Sequence, residues 1–341
     1  MQPAGIGLDI GGANLKAAHT NGAALVCPFE LWRRPGDLAG HLAELVRDLS
    51  PADRIAVTMT GELCDCFETK REGVGAILDA VAAVLPADQV GVWSTGGRFL
   101  PVRAAGQDFL RIAAANWHAL AAFAGRFAPN GPAILIDVGS TTTDIIPLLN
   151  GAPVPRGITD SERLRTGELV YTGVTRTPLC ALLGERVMAE FFATTQDAYV
   201  MLGLIPELPT QRSTADGRPA TRRHAHYRLA RLLGGDGELT PEQVTMDLAK
   251  AVEERQRDLI VRALHQVAST LPGSPRTCIV SGSGEWLAGR SWASFMASLD
   301  RAVVAAPTVI ELCNWIGPAA SAAACAYALA VLASERGDAW P

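Results

Sequence analysis

One unit of this chain occurs twice, and that repetition restricts the fold more than any other feature. Gly5 to Ile10 reads as a short apolar strand carrying Asp9. The turn Gly11-Gly12 follows, then a second strand about Asn14 to His19, and Asn21-Gly22 opens a third apolar run, Ala23 to Cys27. The same order returns at Ala133 to Val138, a strand carrying Asp137, with Gly139-Ser140, a β-branched strand from Thr141 to Leu149, and Asn150-Gly151 before another extended stretch. Asn-Gly between strand-like runs predicts hairpins, because both central positions of the tightest hairpin turn need positive φ. Singly, such units occur everywhere. Two copies with Asp and Gly in matched places imply an internal duplication.

Around the two units the hydrophobic pattern is that of an α/β protein. Helices are expected at Leu38 to Leu49, Thr69 to Val84 and Phe109 to Phe127, with strands at Arg54 to Thr58 and Val90 to Trp93. After the second hairpin the pattern turns mostly helical, with segments at Pro178 to Phe192, Thr195 to Leu202 and Arg218 to Leu233. A long helix runs from Pro241 to Leu271, its proline after Thr240 marking a helix start. An apolar strand at Thr277 to Val280 leads into Ser281-Gly282-Ser283-Gly284-Glu285 and a helix; Ala302 to Ala305 is a further strand, and the last helix spans Pro318 to Ser334. Pro206 to Pro219, rich in Pro, Thr, Arg and Asp, is expected to be a mobile loop. The first domain is placed at 1–130 and the second, with a helical insertion, at 131–317, leaving the C-terminal helix 318–334 free to pack back on the first.

Composition removes several function classes. A chain of 341 residues can bury two cores without staples, and 48% hydrophobic against 19% charged residues is a globular balance. Net charge is −5 with Lys and Arg scattered, so the basic stripe that nucleic acids require is missing and neither DNA nor RNA is expected as a partner. The seven cysteines, an odd count in apolar contexts such as Cys180, Cys278, Cys313 and Cys325 with no secretory signal ahead of them, fit a reduced, cytoplasmic protein. Cys64 and Cys66 form a C-x-C, but no second Cys or His pair stands at zinc-like spacing. Ala319 to Ala333, the most apolar stretch, is shorter than the roughly 20 residues a bilayer needs and reads as a buried helix, so no membrane is expected. Oligomeric state leaves no mark in the sequence.

The duplicated turns carry the chemistry. Each follows a strand and has glycine where a side chain would obstruct a close ligand, so backbone N–H groups around Gly11, Gly12 and Asn14, and around Gly139, Ser140, Thr141 and Thr142, can cradle a phosphate. Asp9, Asp137 and Asp144 offer the hard oxygens that Mg²⁺ takes, directly or through water, while Lys16 and the hydroxyls of residues 140–142 can meet phosphate oxygens. Gly282-Ser283-Gly284, between a strand and a helix, is a third place for a phosphate or nucleotide, or a plain turn with Ser283 as cap. Glu62, in Thr60-Gly61-Glu62 with Asp65 nearby, follows a strand at the carboxyl end where α/β proteins place ligands, and is the first candidate for a base. Asn116, in Asn116-Trp117-His118, lies on an Ala-rich helix and faces either a cleft or the core. Tyr171, Thr172 and Arg176 occupy a loop past the second hairpin, where Arg176 could clamp a diphosphate. Arg222, Arg223, His224 and His226 read as an exposed helix face.

Asp9-Ile-Gly-Gly-Ala-Asn-Leu-Lys16, Asp137-Val-Gly-Ser-Thr-Thr-Thr-Asp144 and Ser281-Gly-Ser-Gly284, in that order, resemble the two phosphate loops and the adenosine loop of the acetate and sugar kinase, chaperone ATPase and actin superfamily. The implied fold is a duplicated, ribonuclease H-like α/β protein with two domains around a central cleft. The second loop is similar to the hydantoinase/oxoprolinase branch. Thr58-Met-Thr-Gly-Glu-Leu-Cys-Asp65, Asn116-Trp-His-Ala-Leu120, Tyr171-Thr-Gly-Val-Thr-Arg-Thr-Pro178 and Asp216-Gly-Arg resemble the small family linked to tetrahydromethanopterin-dependent one-carbon metabolism and methanofuran biosynthesis. That resemblance covers nearly the whole chain. It implies a Mg²⁺-dependent transferase that joins a furan-methanol diphosphate to the phenol of a tyrosine- or tyramine-type acceptor, releasing diphosphate and making an aryl ether for methanofuran or methylofuran. Asn14 stands where kinases usually carry Thr and Ser140 where they usually carry a second Gly, so ATP is the less expected substrate. An ATP-dependent kinase or amidohydrolase, and a nucleotide-binding protein without chemistry, stay open as alternatives.

Overall fold

The computed structural model describes residues 2–299, 307–336 and 340–341. The first lobe opens with β1 (Gly5–Ile10), β2 (Asn14–His19) and β3 (Ala24–Pro28), an antiparallel meander. Then come α1 (Leu38–Arg47), β4 (Arg54–Met59), α2 (Lys70–Val84), β5 (Val90–Ser94) and an edge strand β6 (Arg98–Pro101), giving the order β3-β2-β1-β4-β5-β6. β1, β4 and β5 are parallel to one another. Short helices α3 (Val102–Ala105) and α4 (Phe109–Ile112) lead to α5 (Asn116–Ala124).

The second lobe repeats the plan with β7 (Pro132–Val138), β8 (Thr143–Leu149), the stub β9 (Ala152–Pro153), α6 (Asp160–Thr166) and β10 (Leu169–Val170). α7 (Leu179–Leu183), α8 (Thr195–Met201), α9 (Arg222–Leu232) and the long α10 (Glu242–Ala268) precede β11 (Thr277–Ser281), α11 (Glu285–Ser298) and β12 (Thr308–Glu311). Its sheet runs β10-β8-β7-β11-β12, with β7 and β8 antiparallel and β7, β11 and β12 parallel. A central strand flanked by an antiparallel hairpin partner on one side and parallel strands on the other thus occurs twice, so the duplication read from the sequence is present in the sheets.

After α12 (Leu312–Ile316) and α13 (Pro318–Ala322) the chain returns as α14 (Ala324–Glu335) to the first lobe, where it packs on β1, β2, β4 and α5. Small residues make this possible: Ala326, Ala328, Ala330 and Ala333 are buried, and β1 meets them with glycines. A Cβ on Gly7 would lie 1.8 Å from the Ala326 carbonyl oxygen, a distance no packing adjustment tolerates.

Several segments differ from the sequence expectation. Phe109 to Phe127 is not one helix: Ala113 forms a bridge with Met59 at the end of β4 and Ala114 takes φ +48, so pairing with the sheet overrides alanine's helix propensity and α5 starts afresh at Asn116. Pro178 to Phe192 is helical only at its start, since Pro178 bridges Thr194 and Gly184 ends α7 at φ +60. Pro318 to Ser334 is interrupted at Ala323. The strand expected at Ala302 to Ala305 lies outside the described residues, and a strand occurs at β12 instead. In the first hairpin Asn21 does not take positive φ; the turn closes with Gly22 N–H on the His19 carbonyl, and Gly22 alone is left-handed at φ +92. The second hairpin uses both positions, Asn150 at φ +51 and Gly151 at φ +78. Pro206 to Pro219 has no helix or strand beyond a bridge between Leu208 and Ala220, yet it is anchored, because the buried Arg228 donates to Asp197 at 2.8 Å and to Asp216 at 2.9 Å. Among the described residues no helix is long and apolar enough to cross a membrane.

Substituting Gly7→Ala should cost about 3 kcal/mol, at the upper end of overpacking effects, by prising α14 from β1. Urea denaturation checks it, with a loss below about 1 kcal/mol counting against this packing.

Candidate functional site

The two hairpins present equivalent groups to one cleft. In each, the N–H of the first turn residue closes the loop, Gly11 donating to the Asn14 carbonyl at 3.0 Å and Gly139 to that of Thr142 at 2.9 Å. Among the described residues the amides of Gly12, Ala13, Ser140 and Thr141 donate to nothing, so each loop keeps donors in reserve for an anion. Cross-strand register sets Lys16 opposite Asp9 and Asp144 opposite Asp137. Lys16 therefore occupies in the first hairpin the place Asp144 occupies in the second.

These groups form one electrostatic neighbourhood. Burial pushes the Asp9 carboxyl above its usual range despite Lys16, and pushes Asp137 to about 6, with the Asp144 charge adding to it. Asp144 is also raised by burial, against the opposing pull of Arg163. The buried Cys325 thiol at the start of α14 feels Asp9, Asp137, Lys16 and Asp144 together, and Asn116 Nδ2 lies 3.8 Å from its sulfur. Asn116 is thereby placed, half-buried, beside the Cys325 thiol.

The loop after β10 is built around the second hairpin. Val174 donates to the Gly139 carbonyl, and Thr175 and Arg176 to that of Ser140, at 3.0 to 3.1 Å. Gly173 is required here, since a Cβ would meet the Gly139–Thr141 backbone at 2.6 Å. Gln256, from α10, donates to Thr172 Oγ1 and the Gly173 carbonyl, and Tyr199 OH bonds to Gln256. Arg176 is thus held at the cradle, close enough for its charge to act on the Cys64 thiol, whose sulfur packs over Gly12 of the other lobe. Tyr171 is 68% exposed and belongs to the rim.

Gly282-Ser283-Gly284 joins the same construction. Gly282 takes φ +90 with a would-be Cβ 2.7 Å from Asp137 Oδ1, and Gly284 N–H donates to the Val138 carbonyl, so these glycines let β11 and α11 dock on β7. A hollow of about 650 Å³ opens beside them, lined by Gly282, Ser283, Glu285, Trp286, Arg290 and Glu311.

Glu62 is the most buried acid of the first lobe, 1% exposed, with Lys70 Nζ 3.7 Å from Oε1. Its Oε2 has no hydrogen-bond partner among the described residues, and burial raises its pKa to about 7, partly offset by Lys70.

Sequence reasoning missed Arg163 altogether. On α6, and only 1% exposed, it donates to Asp144 Oδ1 at 2.7 Å and to the Glu168 carbonyl at 2.9 Å, and its guanidinium lies 4.0 Å from the Trp117 ring centre. With burial it also holds His118 down to about 4, a neutral imidazole. The signal was available: Thr159-x-x-Glu162 forms a capping box and Gly167 ends the helix at φ +77, marking the short α6.

Mg²⁺ fits part of this arrangement. Among the described residues no three His, Cys, Asp or Glu side chains converge as a ready metal cage, and Asp144 is committed to Arg163. Mg²⁺ needs only one or two carboxylates, because it keeps waters and takes phosphate oxygens. Asp9, 7% exposed with Oδ1 unpartnered, and Asp137 are the acids lacking a direct basic contact, and both are held up in pKa as though awaiting a cation.

Two sheets of this topology, each offering a hairpin loop to one cleft, define a duplicated actin-like α/β protein. A nucleotide-free structure of acetone carboxylase shares the fold at a TM-score of 0.50 and 9% identity, covering 97% of this chain and 70% of that one. The chain belongs to the hydantoinase/oxoprolinase family, whose pattern matches residues 53–295. It is 32% identical over 82% of its length to the (4-{4-[2-(gamma-L-glutamylamino)ethyl]phenoxymethyl}furan-2-yl)methanamine synthase of Methanocaldococcus jannaschii, of which 86% is covered. The synthase of the same name from Methanococcus vannielii is 33% identical over 45% of this chain and 71% of its own.

A raised carboxyl pKa makes ionisation work against the fold. Between the unfolded value near 4.5 and the folded value near 7, native Glu62 binds more protons than unfolded Glu62, so stability falls as pH rises. At pH 8 Glu62→Gln should therefore stabilise the ligand-free protein by about 2 to 3 kcal/mol, an advantage lost by pH 4. Urea melts at the two pH values decide it, and a destabilised variant at pH 8 would contradict the assignment.

Proposed function

We propose that the chain is a synthase that condenses a furan-methanol diphosphate with the phenol of a tyrosine- or tyramine-type acceptor, forming an aryl ether and releasing diphosphate in methanofuran or methylofuran biosynthesis. The observation that carries this reading is the synthase relative, alike over 82% of the chain. Two loops with unpaired amides, brought into one electrostatic neighbourhood, and a buried acid with a pKa of about 7 support it.

In this reading the amides at Gly12, Ala13, Ser140 and Thr141 bind the diphosphate oxygens, and Lys16 and Arg176 neutralise their charge. Asp9 and Asp137 would hold Mg²⁺, flanked by Asp144, which Arg163 fixes in place. When bound, the metal supplies positive charge to a leaving diphosphate. The bond from the furfuryl carbon to the ester oxygen breaks, the electron pair leaves with diphosphate, and positive charge at carbon spreads to the furan ring oxygen. The phenol oxygen forms the new bond as its proton passes to Glu62. A phenol of pKa near 10 is a weak acid at neutral pH, and a carboxylate with pKa near 7 takes its proton more readily than an ordinary one. The reaction is a transfer and requires no ATP.

The test is to incubate the protein with Mg²⁺, furan-methanol diphosphate and tyramine-type phenols, following diphosphate and the ether by mass, with ATP in parallel. Ether formed without ATP is expected. ATP consumed without ether would instead support an ATP-dependent kinase or amidohydrolase, for which the hollow beside Gly282 and Ser283 is the place a nucleotide would sit. Asp137→Asn should lower turnover about a hundred- to a thousandfold, the range that electrostatic stabilisation supplies; near-normal turnover would remove the arrangement.

The rate should fall about tenfold per pH unit below pH 7 as Glu62 takes up its proton, and level off above it. A pH–rate profile flat from pH 5 to 8 would exclude Glu62 as the base.

A further inference from the structure

Glu62 is not alone in its corner of the cleft. The Lys70 ammonium, 3.7 Å from Glu62 Oε1, is also 3.9 Å from Oδ2 of Asp160. Glu62 and Lys70 belong to the first lobe, whereas Asp160 is the first residue of α6 in the second. One lysine therefore stands between two carboxylates that belong to different halves of the molecule. Both separations are too long for a committed hydrogen bond, so the ammonium is shared. Along the same helix Arg163 lies over Trp117 of α5, a helix that packs against the sheets of both lobes. The Lys70–Asp160 contact requires the lobes to be together.

We propose that Lys70 and Asp160 are positioning residues that couple seating of the second lobe to the basicity of Glu62. The inference rests on the reading of Glu62 as the base. With the lobes apart, Lys70 turns wholly to Glu62, which then sits as a neutralised ion pair and a poor proton acceptor. Seating the second lobe brings Asp160 to the ammonium, draws Lys70 partly away and leaves Glu62 the stronger base at the moment the substrates are enclosed. The other charged groups of the elements packed here, Asp65 on the same loop, Arg71 and Glu72 on α2 and Arg163 on α6, are not among the charges acting on Glu62, which are those of Lys70 and Asp160. Cys64, on the same loop as Glu62, has its thiol pushed up to about 11 by burial and stays neutral; the β1–β2 turn packed against neighbouring Gly61 contributes only Gly11 and Gly12. The directions agree, with Lys70 lowering and Asp160 raising the Glu62 pKa beneath the larger effect of burial. Glu62 is 1% exposed, so little water intervenes to screen the exchange.

A ¹³C-carboxyl NMR titration of the full chain labelled at glutamate reads Glu62 directly, its resonance assigned by disappearance in Glu62→Gln. Asp160→Asn, at a partly exposed position, is expected to lower the Glu62 midpoint by about 0.5 to 1 unit, a three- to tenfold loss of proton affinity. Lys70→Met is expected to raise it by a similar amount, and Lys70→Arg to restore it. The pH–rate profile of diphosphate release should move with the same signs. A midpoint unmoved by Asp160→Asn overturns the proposal, and so does one that rises. The two readings separate cleanly: an inactive Glu62→Gln with unmoved midpoints leaves the base in place and removes the coupling. An active Glu62→Gln with midpoints that move as expected keeps the electrostatic coupling and removes the base.

Discussion

Everything in the cleft follows from the withdrawal of several carboxylates from water. Asp9, Asp137, Asp144 and Glu62 are all raised in pKa, and in each burial is the largest cause. Buried charge of one sign is costly unless it is paired or neutralised by what binds. The molecule answers unevenly. Asp144 receives a buried arginine at 2.7 Å, Glu62 a shared lysine at 3.7 Å, and Asp9 only the field of Lys16 from across the hairpin. The least satisfied acids, Asp9 and Asp137, are those nearest the unpaired amides of the two turns, the arrangement on which the proposed site rests.

The duplication accounts for the symmetry of the backbone, and the side chains break it. The hairpins close with the same hydrogen bond, yet Lys16 in one stands where Asp144 stands in the other. That single exchange of sign gives one hairpin a cation and the other a second carboxylate at the same place, the difference on which the proposed binding of diphosphate and Mg²⁺ rests. The second hairpin is also the better supported, with the Tyr171–Pro178 stretch bonded to its turn and Gln256 buttressing that stretch from α10. A loop built so firmly on a turn suits a role in positioning.

Local chemistry was readable in the sequence where one or two residues decide it. The Asp–Gly turns, the second Asn-Gly turn and the strand into Gly282 are set by backbone preferences and came through, as did the duplicated α/β class, while the first Asn-Gly turn reverses the chain with Gly22 alone left-handed. What failed was decided from a distance. Ala113 reads as helix until Met59 pairs with it, and Pro318 to Ser334 reads as continuous until Ala323 breaks it. Arg163 drew no notice on a short polar segment; only the approach of Asp144 and Trp117, distant in the chain, makes it a buried partner. Glu62 was visible as a candidate from its place after β4, but its pKa and its link to Asp160 arise from packing between lobes that no local pattern encodes.

The docking of α14 on β1 has a consequence for how the protein comes into being. β1 carries glycines whose missing side chains are filled by the backbone of Ala326 and Ala330, residues made only after the whole second lobe. The N-terminal lobe therefore waits, with a grooved and incompletely covered sheet, through the synthesis of the whole second lobe. Its completion is a late event, so a chain that stops short of α14 would leave β1 with its glycine groove open to water even though every strand of that lobe had long been made.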